Sequence, residues 1–140
     1  EAVNMLLSDG GFSIAGVMVA HLHSDMADEL LRVYRKIVPM YAGLLDQFCS
    51  GPLMALIIVP GNSADPDVSI VPSLRDFTGP NNCELAALLR PKSIRAKLGT
   101  PGIKTNIIEN GAHCTDLEDD GFMECSYFFR TIASIKQHDY

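Results

Sequence analysis

The sequence predicts an α+β sandwich in which an antiparallel sheet is covered by helices. Three observations carry that prediction. Residues 12–22 (FSIAGVMVAHL) alternate as a strand, with Phe12, Ile14, Gly16, Met18, Ala20 and Leu22 on one face and Ser13, Ala15, Val17, Val19 and His21 on the other. Residues 53–59 (LMALIIV) are the most hydrophobic run, β-branched and of the length of a central strand. Between the two lie segments of helical period, and after them come irregular basic loops. Both faces of the first strand are largely apolar, so cover is expected on at least part of each.

The remaining elements follow in order. Residues 1–8 (EAVNMLLS) place Ala2, Val3, Met5, Leu6 and Leu7 in a helical pattern that Asp9-Gly10-Gly11 ends. Ser24 stands where a cap is needed, and Asp25, Asp28 and Glu29 put negative charge at the positive end of the next helix. Leu30, Tyr34 and Ile37 or Val38 are its expected buried stripe, and Pro39 ends it. A second helix is expected from Met40 to Phe48, with Tyr41, Leu44, Leu45 and Phe48 inward, until Ser50-Gly51-Pro52 breaks it. PGNSADPDVS reads as loop. Glu84 to Leu89 reads as a short helix, Glu118-Asp119-Asp120-Gly121 as a solvated acidic turn, and residues 124–135 as a final apolar element.

Composition bounds the function. A chain of 140 residues suits one domain with one core. Its net charge of −6 argues against nonspecific binding of nucleic acid through a basic face. Within that acidic chain, Arg90, Lys92, Arg95, Lys97 and Lys104 crowd into residues 90–106, a local concentration suited to an anionic ligand. Cys49, Cys83, Cys114 and Cys125 form no CxxC pair and read as reduced thiols of a cytosolic protein. No signal peptide is expected, and no apolar run approaches the roughly 18 residues of a membrane span. The chain opens on Glu1 inside an apolar-periodic segment, as a piece of a longer protein would.

His113 is the residue with the most chemical promise. Asn110, Thr115 and Glu124 are near it in sequence and suited to orienting an imidazole. Arg75 and Arg95 offer guanidinium groups that bind phosphate oxygens in pairs. A neutral imidazole attacks phosphorus when a carboxylate on its far nitrogen fixes the tautomer. The plain alternative is a loop histidine satisfied by one hydrogen bond. Other sites fare worse. His21 and His23 lack a third ligand at metal spacing. The run Glu118–Gly121 lacks the alternation of a calcium loop. Neither a phosphate-binding GxxxxGK[ST] loop nor a dinucleotide fingerprint occurs.

Taken together, these segments resemble the nucleoside diphosphate kinase family. The family motif N-x-x-H-G/C-S/T-D reads here Asn110-Gly111-Ala112-His113-Cys114-Thr115-Asp116. Ser50-Gly51-Pro52 precedes the central strand, Arg75-Asp76-Phe77-Thr78-Gly79-Pro80 matches an R-x-x-x-G segment, and Arg90-Pro91-Lys92-Ser93-Ile94-Arg95-Ala96 matches P-G-T-I-R-G. Glu124 follows His113 at the distance of the family's supporting glutamate. Details such as HCTDLEDDG and RPKSIRA are similar to the divergent, cilium-associated branch, in particular to a second kinase-like domain of an axonemal member.

The resemblance implies a ferredoxin-like βαββαβ sandwich spanning residues 1–140, N-terminally incomplete because the family's opening strand and its lysine would lie before Glu1. It implies insertions near PGNSADP and GTPGIKTN. It implies phosphoryl transfer from nucleoside triphosphate to nucleoside diphosphate through a phosphohistidine, with Mg2+ carried by the nucleotide. By position, His113 is the acceptor, Glu124 and Thr115 orient it, Arg75 and Arg95 hold phosphates, and Asn110 contacts the sugar. Met40 and Leu44 fall at the base, Tyr34 near the site, and Asn81 where a threonine contacts phosphate. The alternative it implies is a kinase-like building block of the ciliary axoneme, partnered with tubulin and other axonemal proteins. Either way the expected setting is cytoplasmic or ciliary, with no nucleic acid and no membrane.

Overall fold

In the computed structural model the elements run α1 (Ala2–Ser8), β1 (Phe12–Ala20), α2 (Ser24–Leu30), α3 (Tyr41–Cys49), β2 (Leu53–Pro60), α4 (Val71–Thr78), α5 (Cys83–Leu89), α6 (Ile94–Leu98), α7 (Glu118–Ser126) and α8 (Ala133–His138). A 3₁₀ turn (Arg32–Tyr34) follows α2, and a π-helical stretch (Tyr127–Ile132) joins α7 to α8. The structure describes residues 1–8, 11–61, 69–102 and 109–138. Asp9, Gly10 and most of the two expected insertions therefore lie outside the described residues. Among those described, β1 and β2 pair as one two-stranded antiparallel sheet, and the architecture is α+β of the ferredoxin-like kind.

The chain forms two compact units, Glu1–Ala15 with Ile58–Gly121, and Gly16–Ile57 with the chain from Phe122 onward. In the second, Ala20, Leu22, Ala27 and Ile132 form the buried centre, and Met18, Leu30, Leu45, Phe48, Leu53 and Phe128 pack around it. The hydroxyl of Tyr127 donates to the Met26 carbonyl (2.8 Å) and lies 3.3 Å from Glu29 Oε2. In the first unit, α1, α4 and α5 each pack on α6, around Leu6, Cys83, Ala86 and Ile94. Phe12 and Phe77 meet edge to face, with centroids 5.6 Å apart.

Several local expectations are corrected. Cover on the second face of β1 is confined to its start: Phe12, Ile14, Gly16, Met18 and Ala20 are covered on one face, and on the other Ser13 is half-buried but Ala15, Val17 and Val19 are exposed. Apolar side chains are common on protein surfaces, so the apolarity of these valines does not certify burial. Ser24 is the first helical residue and not the cap. That place belongs to His23, whose extended backbone puts its carbonyl against Ala27 N–H at 2.9 Å. Of the two residues expected to close the stripe, Val38 is half-buried and Ile37 is not. The α-helix ends at Leu30 and the 3₁₀ turn winds more tightly, which changes the phase of the buried face. Leu31 is fully buried instead, and Ile37 is 74% exposed. Helix α4 was not expected, although Pro72 in its first turn is a start signal. Finally, Glu118, Asp119 and Asp120 are the first turn of α7 and not a free turn, which suits their charge to the helix dipole.

Two measurements follow from this packing. Leu31→Ala should cost about 2–5 kcal/mol in urea unfolding, whereas Ile37→Ala should stay within about 0.5 kcal/mol. Burial, then the Glu29 charge, push the Tyr127 hydroxyl from 10.0 up to about 12. The folded state thus holds that proton more tightly than the unfolded chain does. The resulting stability is intact below about pH 10 and is lost as pH rises toward 12. An alkaline melting series should show that loss, and Tyr127→Phe should remove it.

Candidate active site

The stretch between the Thr100–Glu109 bridge and α7 contains no regular element of its own, yet it carries Asn110, His113, Thr115 and Asp116. Side chains from other elements hold it. Asn110 Oδ1 accepts from the Cys83 backbone N–H (3.0 Å), and its Nδ2 donates to Asn81 Oδ1 (3.1 Å). Arg95 Nε donates to the Ala112 carbonyl (3.1 Å), and its Nη1 donates to the Gly79 carbonyl (2.7 Å). Arg75 Nη1 donates to the Asp116 carbonyl (2.7 Å), and its Nη2 lies 3.4 Å from Asp116 Oδ1. His113 is therefore flanked by two arginine-bound carbonyls, at 112 and 116. Its own side chain is exposed, while Cys114 beside it is buried.

Local sequence explains why these groups arrive where they do. Arg75 lies in the last turn of α4, which stops at Gly79 with φ +92°. A side chain at Gly79 would collide with Ser93, the residue whose Oγ caps α6. Asn82 caps α5 by accepting from Glu84 N–H (2.9 Å) and Leu85 N–H (3.1 Å). Gly111 (φ +69°) lets the His113 loop lie against the end of α6, where an added Cβ would come 2.7 Å from the Leu98 carbonyl. Both glycines occupy backbone regions that other residues avoid. Arg95 projects from α6 into this junction and is only 7% exposed.

The remaining expected residues belong to the second unit. Tyr34 closes the 3₁₀ turn and is half-buried. Met40 precedes α3 and accepts from Leu44 N–H (3.1 Å), so the two sit one turn apart, Met40 largely exposed and Leu44 half-buried. Tyr41 donates to Asp28 Oδ1 (2.8 Å), and Arg35 pairs with the same carboxylate. The Tyr41 hydroxyl is the main reason that this carboxyl lies below its ordinary range. Glu124 lies on α7, half-buried.

The structure thus gathers Arg75, Arg95, Asn81, Asn110, His113 and Thr115 in one unit, and Tyr34, Met40, Leu44 and Glu124 in the other. Asp116, Asn82 and the carbonyls of Gly79 and Ala112 are participants that the sequence reading did not single out. Asp116 lay within the quoted motif, and Asn82 before a helix was a cap signal. Main-chain acceptors leave no trace in side-chain identity. Arg75 also lines a cavity of about 520 Å³ with Val71, Pro72, Asp116, Leu117 and Glu118. The four cysteines are free thiols, and burial pushes those of Cys49, Cys83 and Cys125 up. Among the described residues no cluster of histidine, cysteine and carboxylate side chains is arranged to hold a metal ion.

The profile of the family described as "Nucleoside diphosphate kinase" matches residues 1–133. The chain belongs to the nucleoside diphosphate kinase family. Among relatives, it is 32% identical over 126 residues to nucleoside diphosphate kinase homolog 7 of Mus musculus, covering 90% of this chain and 29% of that protein. It is 25% identical over 143 residues to probable nucleoside diphosphate kinase 5 of Arabidopsis thaliana, covering 99% and 90%. The crystal structure of the Aquifex aeolicus nucleoside diphosphate kinase superposes with a TM-score of 0.73 at 24% identity, over 94% of this chain and 86% of that one. That likeness establishes the nucleoside diphosphate kinase fold. Among the described residues no helix is long and apolar enough to cross a membrane.

The clamps differ in expected worth. Asn110→Ala leaves a partly buried helix-terminal N–H without its acceptor and should cost about 1–2 kcal/mol in chemical unfolding. Arg75→Ala breaks a half-exposed pair and should cost less than about 1 kcal/mol.

Proposed function

We propose that this kinase-family chain moves a γ-phosphate between nucleotides through His113. The observation that carries the reading is the exposed His113 on a loop pinned by arginines on both sides. An imidazole nitrogen attacks the γ-phosphorus in line. An N–P bond forms, the bond from phosphorus to the β,γ-bridging oxygen breaks, and the nucleoside diphosphate leaves. A second nucleoside diphosphate then takes the phosphoryl group back by the reverse displacement. Such a transfer asks the protein mainly for placement and for positive charge around the phosphoryl oxygens.

Arg75 fits the phosphate role because it is half-exposed and lines a cavity, and its link to Asp116 is of the weak, exchangeable kind. Arg95 adds a buried positive charge beside the loop. Asn110 keeps hydrogen-bonding capacity for a sugar hydroxyl, since its amide has two donors and two acceptor sites, and Asn81 beside it is suited to a phosphate oxygen. Met40 and Leu44 offer an apolar bed for a base, methionine with less stacking than an aromatic ring, and Tyr34 belongs to the same side of the reading. Glu124 and Thr115 are assigned the task of orienting the imidazole. With no protein carboxylate cage among the described residues, magnesium belongs to this reading as part of the nucleotide substrate.

A second role is compatible with the first: a kinase-like module seated on ciliary microtubules. Val33 and Ile37, exposed apolar side chains within one short stretch, favour a protein partner there. Tubulin co-sedimentation that survives His113→Ala but not Ile37→Asp would support it, and no co-sedimentation would remove it.

Phosphoryl transfer is tested by incubating the protein with γ-labelled ATP and magnesium and measuring acid-labile phosphate. The expected result is label on the wild type that chases onto added GDP and is absent from His113→Ala. A folded wild type that takes no label overturns the enzymatic reading.

A further inference from the structure

We infer that the cavity at the start of α7 is a docking site for a protein partner, taking a segment whose large apolar side chains are flanked by lysine or arginine; this stands independently of phosphoryl transfer. The cavity measures about 520 Å³ and is lined by Val71, Pro72, Arg75, Asp116, Leu117 and Glu118, all in the first unit. Its volume lies within the roughly 300–1,000 Å³ typical of ligand pockets. Val71 and Pro72 open α4 and Leu117 directly precedes α7, so three apolar side chains wall it. Leu117 is 61% exposed, surface that a partner would take out of water. Phosphoryl transfer calls on Arg75 here and has no use for the apolar walls.

Charge decides the kind of partner. Arg75 donates to the Asp116 carbonyl at 2.7 Å and lies 3.4 Å from that residue's carboxylate, so the two side-chain charges offset each other locally. What remains is negative. Glu118 lines the cavity, and Asp119 and Asp120 follow it in the first turn of α7. Among the described residues none of these three has an ion pair. The dipole of α7 accounts for carboxylates at this end. It does not account for an apolar-walled cavity beside them. Together they make a surface with an apolar centre and a charged rim, the anatomy of a protein interface. Such a rim repels a polyanion, whether nucleic acid or an acidic membrane surface. It draws a basic segment, whose apolar side chains then cover Val71, Pro72 and Leu117.

The test follows the methyl resonances of Val71 and Leu117 while capped peptides are added to the protein. The probe is Lys-Lys-Leu-Phe-Lys-Lys. Two peptides are compared with it: Lys-Lys-Ser-Ser-Lys-Lys has the charge alone, and Glu-Glu-Leu-Phe-Glu-Glu has the apolar pair with the opposite charge. The basic apolar peptide should shift both resonances to saturation. Leu117→Asn should weaken its binding about 10-fold, read at Val71. Glu118→Gln combined with Asp119→Asn should weaken it about 5-fold, and about 0.5 M salt should weaken it in the wild type. Leu117, Glu118 and Asp119 are exposed, and thermal melting checks the fold of each variant; should one variant not fold, the other decides. Equal binding of the serine peptide overturns the inference, because the apolar walls then contribute nothing. Equal binding of the acidic peptide overturns it too, because the rim then selects nothing. So does the absence of any shift with about 5 mM of the basic apolar peptide. A shift that survives both sets of substitutions places that peptide elsewhere and likewise overturns it.

Discussion

A guanidinium cannot shed its proton to escape burial, so a buried arginine must find acceptors or not be buried at all. Arg95 finds two main-chain carbonyls, at Gly79 and Ala112, and much of the first unit is arranged so that those carbonyls can reach it. Helix α6 is only five residues long and would not stand by propensity alone. It is held by α1, α4 and α5 packed on it, by the Ser93 cap, and by loops that approach closely because residues 79 and 111 lack a side chain. A hydrogen bond to a charged group typically contributes about 1.5–3 kcal/mol. The arginine, the glycines and the cap thus act as one construction.

Two arginines of the same loop system have different physical lives because of solvent. Arg75 meets Asp116 at the surface, where an ion pair is worth roughly 0–1 kcal/mol and is readily exchanged for another anion. Arg95 is enclosed, and its bonds are costly to break. Sequence pattern alone assigns both to phosphate, because both guanidinium groups sit in motif segments. Burial separates a surface contact from an enclosed one. The net charge of −6 does not conflict with a phosphate site, since the cations are concentrated between α5 and the acceptor loop.

How much was legible in the sequence follows the range of the interactions involved. Periodicity placed α1, β1, α3, β2 and α5, because those elements declare themselves within a few residues. It failed at residues 31–38, where a 3₁₀ turn replaced the expected helical phase, and at Glu118–Asp120, where an acidic run was a helix start. The motif around His113 was legible as chemistry. The contacts that hold it were not: Asn110 reaches a backbone N–H 27 positions away, and Arg95 reaches carbonyls whose residues, glycine and alanine, advertise nothing. Val17 and Val19 erred in the other direction, apolar in sequence and yet exposed.

The loop that carries His113 has no helix or strand beneath it, yet it is tied down at several points. Cys114 turns inward and is 8% exposed, and as a buried thiol it behaves as a small hydrophobe. Its neighbour His113 is exposed. A glycine following the histidine, which the family motif also permits, would supply no such anchor. Here the buried cysteine and the two arginine-bound carbonyls tether the same stretch at separate points.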